Sequence, residues 1–416
     1  MLITNEKSNI EIFAKDWMEQ LLKHTKNLKD YALIPDLLVQ PEIINSELKY
    51  TISQFKKSDD KPILRVFTDN GQRYDLLEKI KSTTFLPEAD LDSWIKETIG
   101  YDEYCLTING ITKWNNQLHT ILTTEIVNKV VESVGVPLAG VDTYAFIAKG
   151  GYTPFGIHED PDHSLIFHLG PDEKHVWIWR NAEYLKLTGG KNDRRFDFEN
   201  LVPHAEHLVM KPGDCLFIPK GDFHVFENVG YSSFLGFILY PSNSLIIGNA
   251  GINMLVEING NDSLYFVKEE ELKDCIYQQM DRITQSPISV EEGIKQGSYY
   301  YHLLLRSNGY AIHKPILNKI LKDEYYDKTL IRPLCFPILY EIYNGKITIF
   351  IRGRLLELKH LQGVVEAIEV VNTYQEVTYL KLLENLKNIV PLEVAEFLLD
   401  CIIQYKGLTV KENIYE

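Results

Sequence analysis

The sequence predicts an α+β chain built around a small antiparallel β-barrel, with flanking helices and a separate, mostly helical tail. Three observations predict it. Between residues 141 and 240 the chain is cut into short apolar runs separated by Gly, Pro and Asp, the pattern of an antiparallel sandwich or barrel. On either side the apolar positions recur at helical spacing, as in Ile10, Phe13, Trp17, Leu21, Leu22 and Leu28. Finally, 416 residues exceed one small domain, and a hydrophobic fraction of 45% supports a sizeable core.

Residues 1–140 read as an α/β lead-in that packs on the barrel. An amphipathic helix over 10–30 comes first, then a strand at Lys61–Phe67 ended by Asp69-Asn70-Gly71. A helical piece follows from Pro87 to Gly100, then a strand at Tyr104–Ile108 and a helix from Leu118 to Val134 stopped by Gly135 and Pro137. The barrel segment, 141–245, carries strands at Thr143–Ala148, Leu165–Leu169, Val176–Trp179, His207–Met210, Cys215–Ile218, Val225–Glu227 and Phe234–Leu239. Gly189–Arg195 is a polar excursion, an exposed loop or a mobile lid over the barrel mouth. Residues 246–295 read as a helical linker or dimerisation segment containing a helix at Val267–Ile283. In the tail, 296–416, a helix through Leu305 stops at Ser307-Asn308-Gly309. Lys346–Ile351 followed by Arg352-Gly353-Arg354 reads as an ordinary charged hairpin, and helices follow at Tyr379–Leu386 and Val394–Tyr405.

The chemistry-bearing residues lie in the barrel segment. His158 and Asp160 are two apart on an extended backbone, so both face one side while Glu159 faces the other. A third donor, His224, stands 66 positions after His158, where Pro212-Gly213-Asp214 turns into Cys215–Ile218 and Pro219–Asp222 reverses the chain. Two imidazoles and a carboxylate on one face of a metal form the facial triad of non-haem Fe(II) oxygenases, which leaves the opposite face open. By strand parity Ser164, Ile166 and His168 share the inward face with these donors. His204 and His207, three apart, fall on opposite faces of a strand and read as surface residues, and Pro161 separates His163 from the pair. Trp177 and Trp179 read as packing residues.

Over 141–240, roughly a quarter of the chain, these motifs resemble the JmjC group of 2-oxoglutarate-dependent Fe(II) oxygenases. Thr153-Pro154, the His-x-Asp pair and the Pro-Gly-Asp…Ile-Pro…His segment occur in that group's order. The resemblance implies a double-stranded β-helix (cupin, jelly-roll) core, with Fe(II) held by His158, Asp160 and His224. It implies 2-oxoglutarate as co-substrate, its distal carboxylate held by Lys174 once one extra residue is allowed in the turn Gly170–Glu173. A hydroxyl is expected beside that carboxylate, from Thr153 or next from Tyr144, with Ser164 as a further contact. The implied reaction uses dioxygen to hydroxylate a side chain of a peptide or protein, releasing succinate and CO2; N-demethylation is the related alternative. The tail, winged-helix-like by the same resemblance, is expected to dock that polypeptide or form a homodimer. Two other classes compete: a non-catalytic cupin-type protein binding peptide or nucleic acid, and a metal cupin that does not use 2-oxoglutarate.

Composition bounds the partners. A net charge of −15 argues against general affinity for nucleic acid, which rests on clustered Lys and Arg. The five cysteines, scattered singly, read as free thiols in a reducing compartment. With no basic-then-apolar start and no apolar run of membrane length, a soluble cytoplasmic protein is expected, without a membrane partner.

Overall fold

The computed structural model describes residues 11–69, 71–240, 247–253, 289–317, 320–343, 345–359 and 361–411. The helix expected at Val267–Ile283 lies outside the described residues. The chain is a mixed α/β fold around a large antiparallel sheet, consistent with a jelly-roll core.

In chain order the sheet comprises β1 (Ala32–Ile34), β2 (Ile63–Thr68), β3 (Gly71–Gln72), β4 (Tyr104–Asn109), β5 (Val141–Tyr152), β6 (His158–Glu159), β7 (His163–Pro171), β8 (Lys174–Trp179), β9 (Glu206–Met210), β10 (Cys215–Ile218) and β11 (Phe223–Leu239). The two strands expected at Val225–Glu227 and Phe234–Leu239 are one 17-residue strand, β11. Its register shifts between Asn228 and Tyr231, where an irregular pairing bends the strand. Before the bend β11 pairs with β6 and β8 and after it with β7, while β5 runs beside it on both sides of the shift. One strand therefore belongs to both layers, and the space between them opens at the bend.

The lead-in does more than cover the barrel. β2, β3 and β4 continue the layer beyond β5, in the order β5-β4-β2-β3, so the sheet extends well past the jelly roll. Strand pairing over such distances leaves no local mark in a sequence. The helices Trp17–His24 and Pro41–Ser53 then bury Trp17, Met18, Leu21, Ile44, Leu48 and Ile52 in the core this wide layer forms with Phe167, Phe217 and Phe237. The helix expected over Leu118–Val134 is present as Asn116–Leu122, a π turn Thr123–Val127 and Asn128–Ser133.

The helix Val290–Ser307 is capped by Ser289, whose hydroxyl accepts from Glu292 N at 3.2 Å. The expected boundary at 295/296 falls inside it. Leu305 and Tyr310 join the main core, while Tyr300, Leu303 and Leu304 pack on Phe350. Beyond it stand β12 (Thr329–Ile331), β13 (Leu339–Tyr343), β14 (Lys346–Ile351), β15 (Arg354–Lys359), β16 (Glu376–Thr378) and β17 (Thr409–Val410), in two three-stranded sheets. Helices Val364–Thr373, Tyr379–Leu386 and Leu392–Gln404 close a second core over them.

The β14–β15 turn is not an ordinary charged hairpin. Arg352 is 1% exposed, with its guanidinium carbon 3.4 Å from the Phe336 ring centroid. One terminal nitrogen donates to Asn116 Oδ1 at 2.7 Å and meets His119 Nδ1 at 3.1 Å. Burial pushes its pKa down to about 9. The turn faces inward because it is the contact between the tail and the helix at Asn116, more than 200 residues earlier. Among the described residues no helix is long and apolar enough to cross a membrane.

Candidate active site

The chain reversal at 219–222 brings His224 directly opposite His158 across the β6–β11 pair, with ring centroids 4.6 Å apart. Gly221 N donates to Asp160 O at 3.1 Å, which fastens the reversing turn to the His-x-Asp segment. Glu159 faces away, where its carboxylate accepts from Asn181 Nδ2 at 3.2 Å, and the same amide donates to Gly221 O at 2.8 Å. Upstream, the Pro-Gly-Asp turn is fixed by Asp214, which accepts from Lys211 N at 2.8 Å and Asp36 N at 3.2 Å.

The three candidate donors converge. His158 Nε2 lies 3.8 Å and His224 Nε2 3.6 Å from the carboxylate oxygens of Asp160, and a ligand atom from each lies within 4.8 Å of the others. The other ring nitrogens point outward: His158 Nδ1 is 2.9 Å from Gly156 O and His224 Nδ1 3.2 Å from Asp222 O. A proton on each Nδ1 makes those bonds and leaves each Nε2 lone pair directed inward, the orientation that carbonyl acceptors give metal-ligating histidines. Burial, with the His224 imidazole adding to it, pushes the His158 pKa down to about 4, so the ring is neutral, as a metal ligand must be. The donor set therefore fits a divalent transition metal.

A cavity of about 310 Å³ opens beside the triad. Tyr144, Thr153 and Ser164 line it, as do Phe146, Phe226 and Phe234. Thr153 is buried, and among the described residues its hydroxyl has no hydrogen-bond partner, which leaves an uncommitted polar group in the cavity wall. The Tyr144 hydroxyl bonds the Ser164 side chain, and burial raises its pKa. Tyr144 pairs across the sheet with Gly236, where a Cβ would stand 2.2 Å from the tyrosine ring. Gly236→Ala is expected to displace that ring and cost about 1–3 kcal/mol, measured as a lowered urea midpoint.

Lys174 is fully buried and its ammonium donates to Asn228 Oδ1. It stands 5.5 Å from the Phe146 and 5.4 Å from the Phe234 ring centroid, behind the two rings that line the cavity. Among the described residues it has no carboxylate partner, and burial pushes its pKa down to about 7.

Two expected neighbours fall elsewhere. Ile166 packs in the apolar core, and His168 lies outside the cavity, with its nitrogens 3.0 Å from Ser233 O and 2.8 Å from Asp172 O. Parity places them on the right face, but His168 is four residues past Ser164, roughly 13 Å along the strand, beyond the cavity's end. His207 is exposed and stacks on Trp177 at 3.9 Å, and His163 Nδ1 accepts from Lys220 N; neither joins the triad. The excursion at Gly189–Arg195 is tied down where Ile157 and Arg195 exchange backbone bonds of 2.7 and 3.0 Å. This sets Arg194 on the cavity wall, and Arg65 from β2 joins it there. Neither arginine was picked out by sequence reasoning. The available signal for Arg65 was a lone cation between Ile63 and Phe67 on one face of an otherwise apolar strand.

A jelly-roll layer widened by N-terminal strands, a metal-competent triad at its mouth and a helical and sheet-bearing tail together define a fold shared with solved structures. Two crystal structures of the Escherichia coli protein YcfD match this chain with a TM-score of 0.50, at 14% and 15% identity, covering 96% of this chain and 99% of theirs. YcfD is described as a ribosomal oxygenase. At that identity the likeness shows the fold. No protein-family model and no curated protein matches the chain.

Proposed function

We propose that the chain is an Fe(II)- and 2-oxoglutarate-dependent oxygenase that hydroxylates a side chain of a peptide or protein. The observation that carries this reading is the convergence of His158, Asp160 and His224, each histidine with its Nδ1 held by a carbonyl and its Nε2 free. In this reading these three hold Fe(II) as a facial triad. The metal, when bound, supplies oxidation of an unactivated C–H bond coupled to decarboxylation of 2-oxoglutarate.

The chain's own residues bind and orient. Lys174 takes the distal carboxylate of 2-oxoglutarate, exchanging Asn228 for it, and the uncommitted Thr153 hydroxyl donates to the same group. Tyr144 and Ser164 hold the adjoining wall, and Phe146, Phe226 and Phe234 exclude water from the reacting centre. Domain roles follow the same reading: 1–140 buttresses the core, 141–245 is catalytic, 246–295 links or dimerises, and 296–416 is a winged-helix-like module that docks the polypeptide or a second copy. In this reading the enzyme acts in the cytoplasm, a reducing compartment in which the free cysteines among the described residues stay as thiols. The fold it shares with YcfD, a ribosomal oxygenase, supports a protein substrate.

The test is succinate release from 2-oxoglutarate by the purified protein with Fe(II) in air. Release is expected to stop on chelation, on removal of dioxygen and in Asp160→Ala. A folded protein that binds iron stoichiometrically yet releases no succinate would overturn the 2-oxoglutarate role.

A further inference from the structure

We infer that the outer half of this cavity selects a polypeptide carrying an acidic side chain at or beside the residue placed in the site, through Arg65 and Arg194. The inference rests on the oxygenase reading and specifies its substrate class.

Phe234 pairs with Phe146, Phe146 with Thr107, and Thr107 with Arg65, a row that crosses β11, β5, β4 and β2 in turn. Directly paired residues share one face of a sheet, so the row forms a continuous wall. All four residues line the cavity. The buried Lys174 stands behind the inner end of this wall; Arg65 stands at the outer end, three strands and roughly 14 Å away. One cation therefore lies behind the cavity's inner wall and another on its outer end, the outer one provided by a strand outside the jelly roll.

The outer cation is doubled and held in place. Arg65 Nε donates to Thr107 Oγ1 at 3.0 Å, which fixes the guanidinium and, among the described residues, leaves its two terminal nitrogens without a partner and able to grip a carboxylate side-on. Its guanidinium carbon lies 5.2 Å from the Phe155 ring centroid, and that of Arg194 lies 5.9 Å from the same ring. Phe155 is thus a platform for two guanidiniums. Among the described residues neither arginine has an ion-pair partner. Two guanidiniums on one platform repel a basic side chain and favour an acidic one, the arrangement that gives specificity more than raw affinity.

The test uses fluorescein-labelled, end-blocked heptapeptide pools whose three central positions are Asp/Glu, Asn/Gln or Lys/Arg. Anisotropy reports binding without turnover, and succinate release is followed in parallel. The acidic pool is expected to bind most tightly. Arg65→Ala and Arg194→Ala should each weaken that binding about threefold to tenfold, and Arg65→Glu with Arg194→Glu should shift the preference to the Lys/Arg pool.

Tightest binding of the Lys/Arg or Asn/Gln pool by the parent, or an unchanged preference in the double charge reversal, would overturn the inference. So would Arg65→Ala raising the KM for 2-oxoglutarate in place of the peptide dissociation constant, because Arg65 would then serve the co-substrate. Acidic-pool binding that follows the arginines in a protein releasing no succinate would keep the peptide selectivity and overturn only the oxygenase reading.

Discussion

Replacing His224 by alanine is expected to lower iron affinity by at least about a hundredfold and to remove succinate release. Loss of a neighbour that merely orients a metal-bound histidine already costs about 10–100-fold. His224 is itself one of three donors and pairs directly with a second, His158. The remaining two donors, His158 and Asp160, stand two apart on one short segment and cannot enclose three positions of an octahedral ion. The fold should persist, because the bonds of Gly221 and Asn181 hold the turn that carries His224 in addition to the one its imidazole makes to Asp222 O. Iron content of the purified variant, read with its circular dichroism, checks this. A variant that retains iron and activity would remove His224 from the site.

Lys174→Met is expected to raise the KM for 2-oxoglutarate about tenfold to a hundredfold while stabilising the fold. The ammonium is fully buried, and its pKa in the folded chain lies at about 7 against 10.5 for the free side chain. Below pH 7 it is protonated in both states, and burial costs on the order of 5 kcal/mol. Between about 7 and 10.5 the unfolded chain binds the proton more tightly, so the parent's stability rises with pH across that window. Methionine has similar length and no charge to bury, so the variant should lose this slope and gain a few kcal/mol at pH 6. Urea midpoints of both proteins from pH 6 to 10 measure it. Function runs the other way: a carboxylate binds the protonated form, so the parent's affinity for 2-oxoglutarate should weaken toward tenfold per unit as pH rises above 7. A residue retained against stability is what a co-substrate contact requires.

Much of the centre was legible because its signals are local. The His-x-Asp pair needs only strand parity, and the Pro-Gly-Asp and Pro-Lys-Gly-Asp turns mark where the chain reverses toward His224. Cys215–Ile218 and Tyr379–Leu386 have the bounds their apolar patterns indicate. The illegible parts depend on pairing between distant segments. Arg65 reaches the cavity only because β2 pairs with β4 and β4 with β5, and nothing near residue 65 announces those partners. Arg352 sits in a turn whose local pattern is that of a solvated hairpin, yet Phe336, Asn116 and His119 enclose it. Parity carried Ser164 into the cavity but overreached at His168, because a face continues along a strand after the cavity has ended.

In the proposed enzyme His158, Asp160 and His224 hold an iron to which 2-oxoglutarate binds with its far end at Lys174. Anaerobic titration of the iron-loaded protein with 2-oxoglutarate, followed in the visible spectrum, tests it most directly. A weak metal-to-ligand band is expected that saturates in the parent, is absent in His158→Ala and requires more 2-oxoglutarate in Lys174→Met. Stoichiometric iron with no such band at saturating 2-oxoglutarate would contradict it.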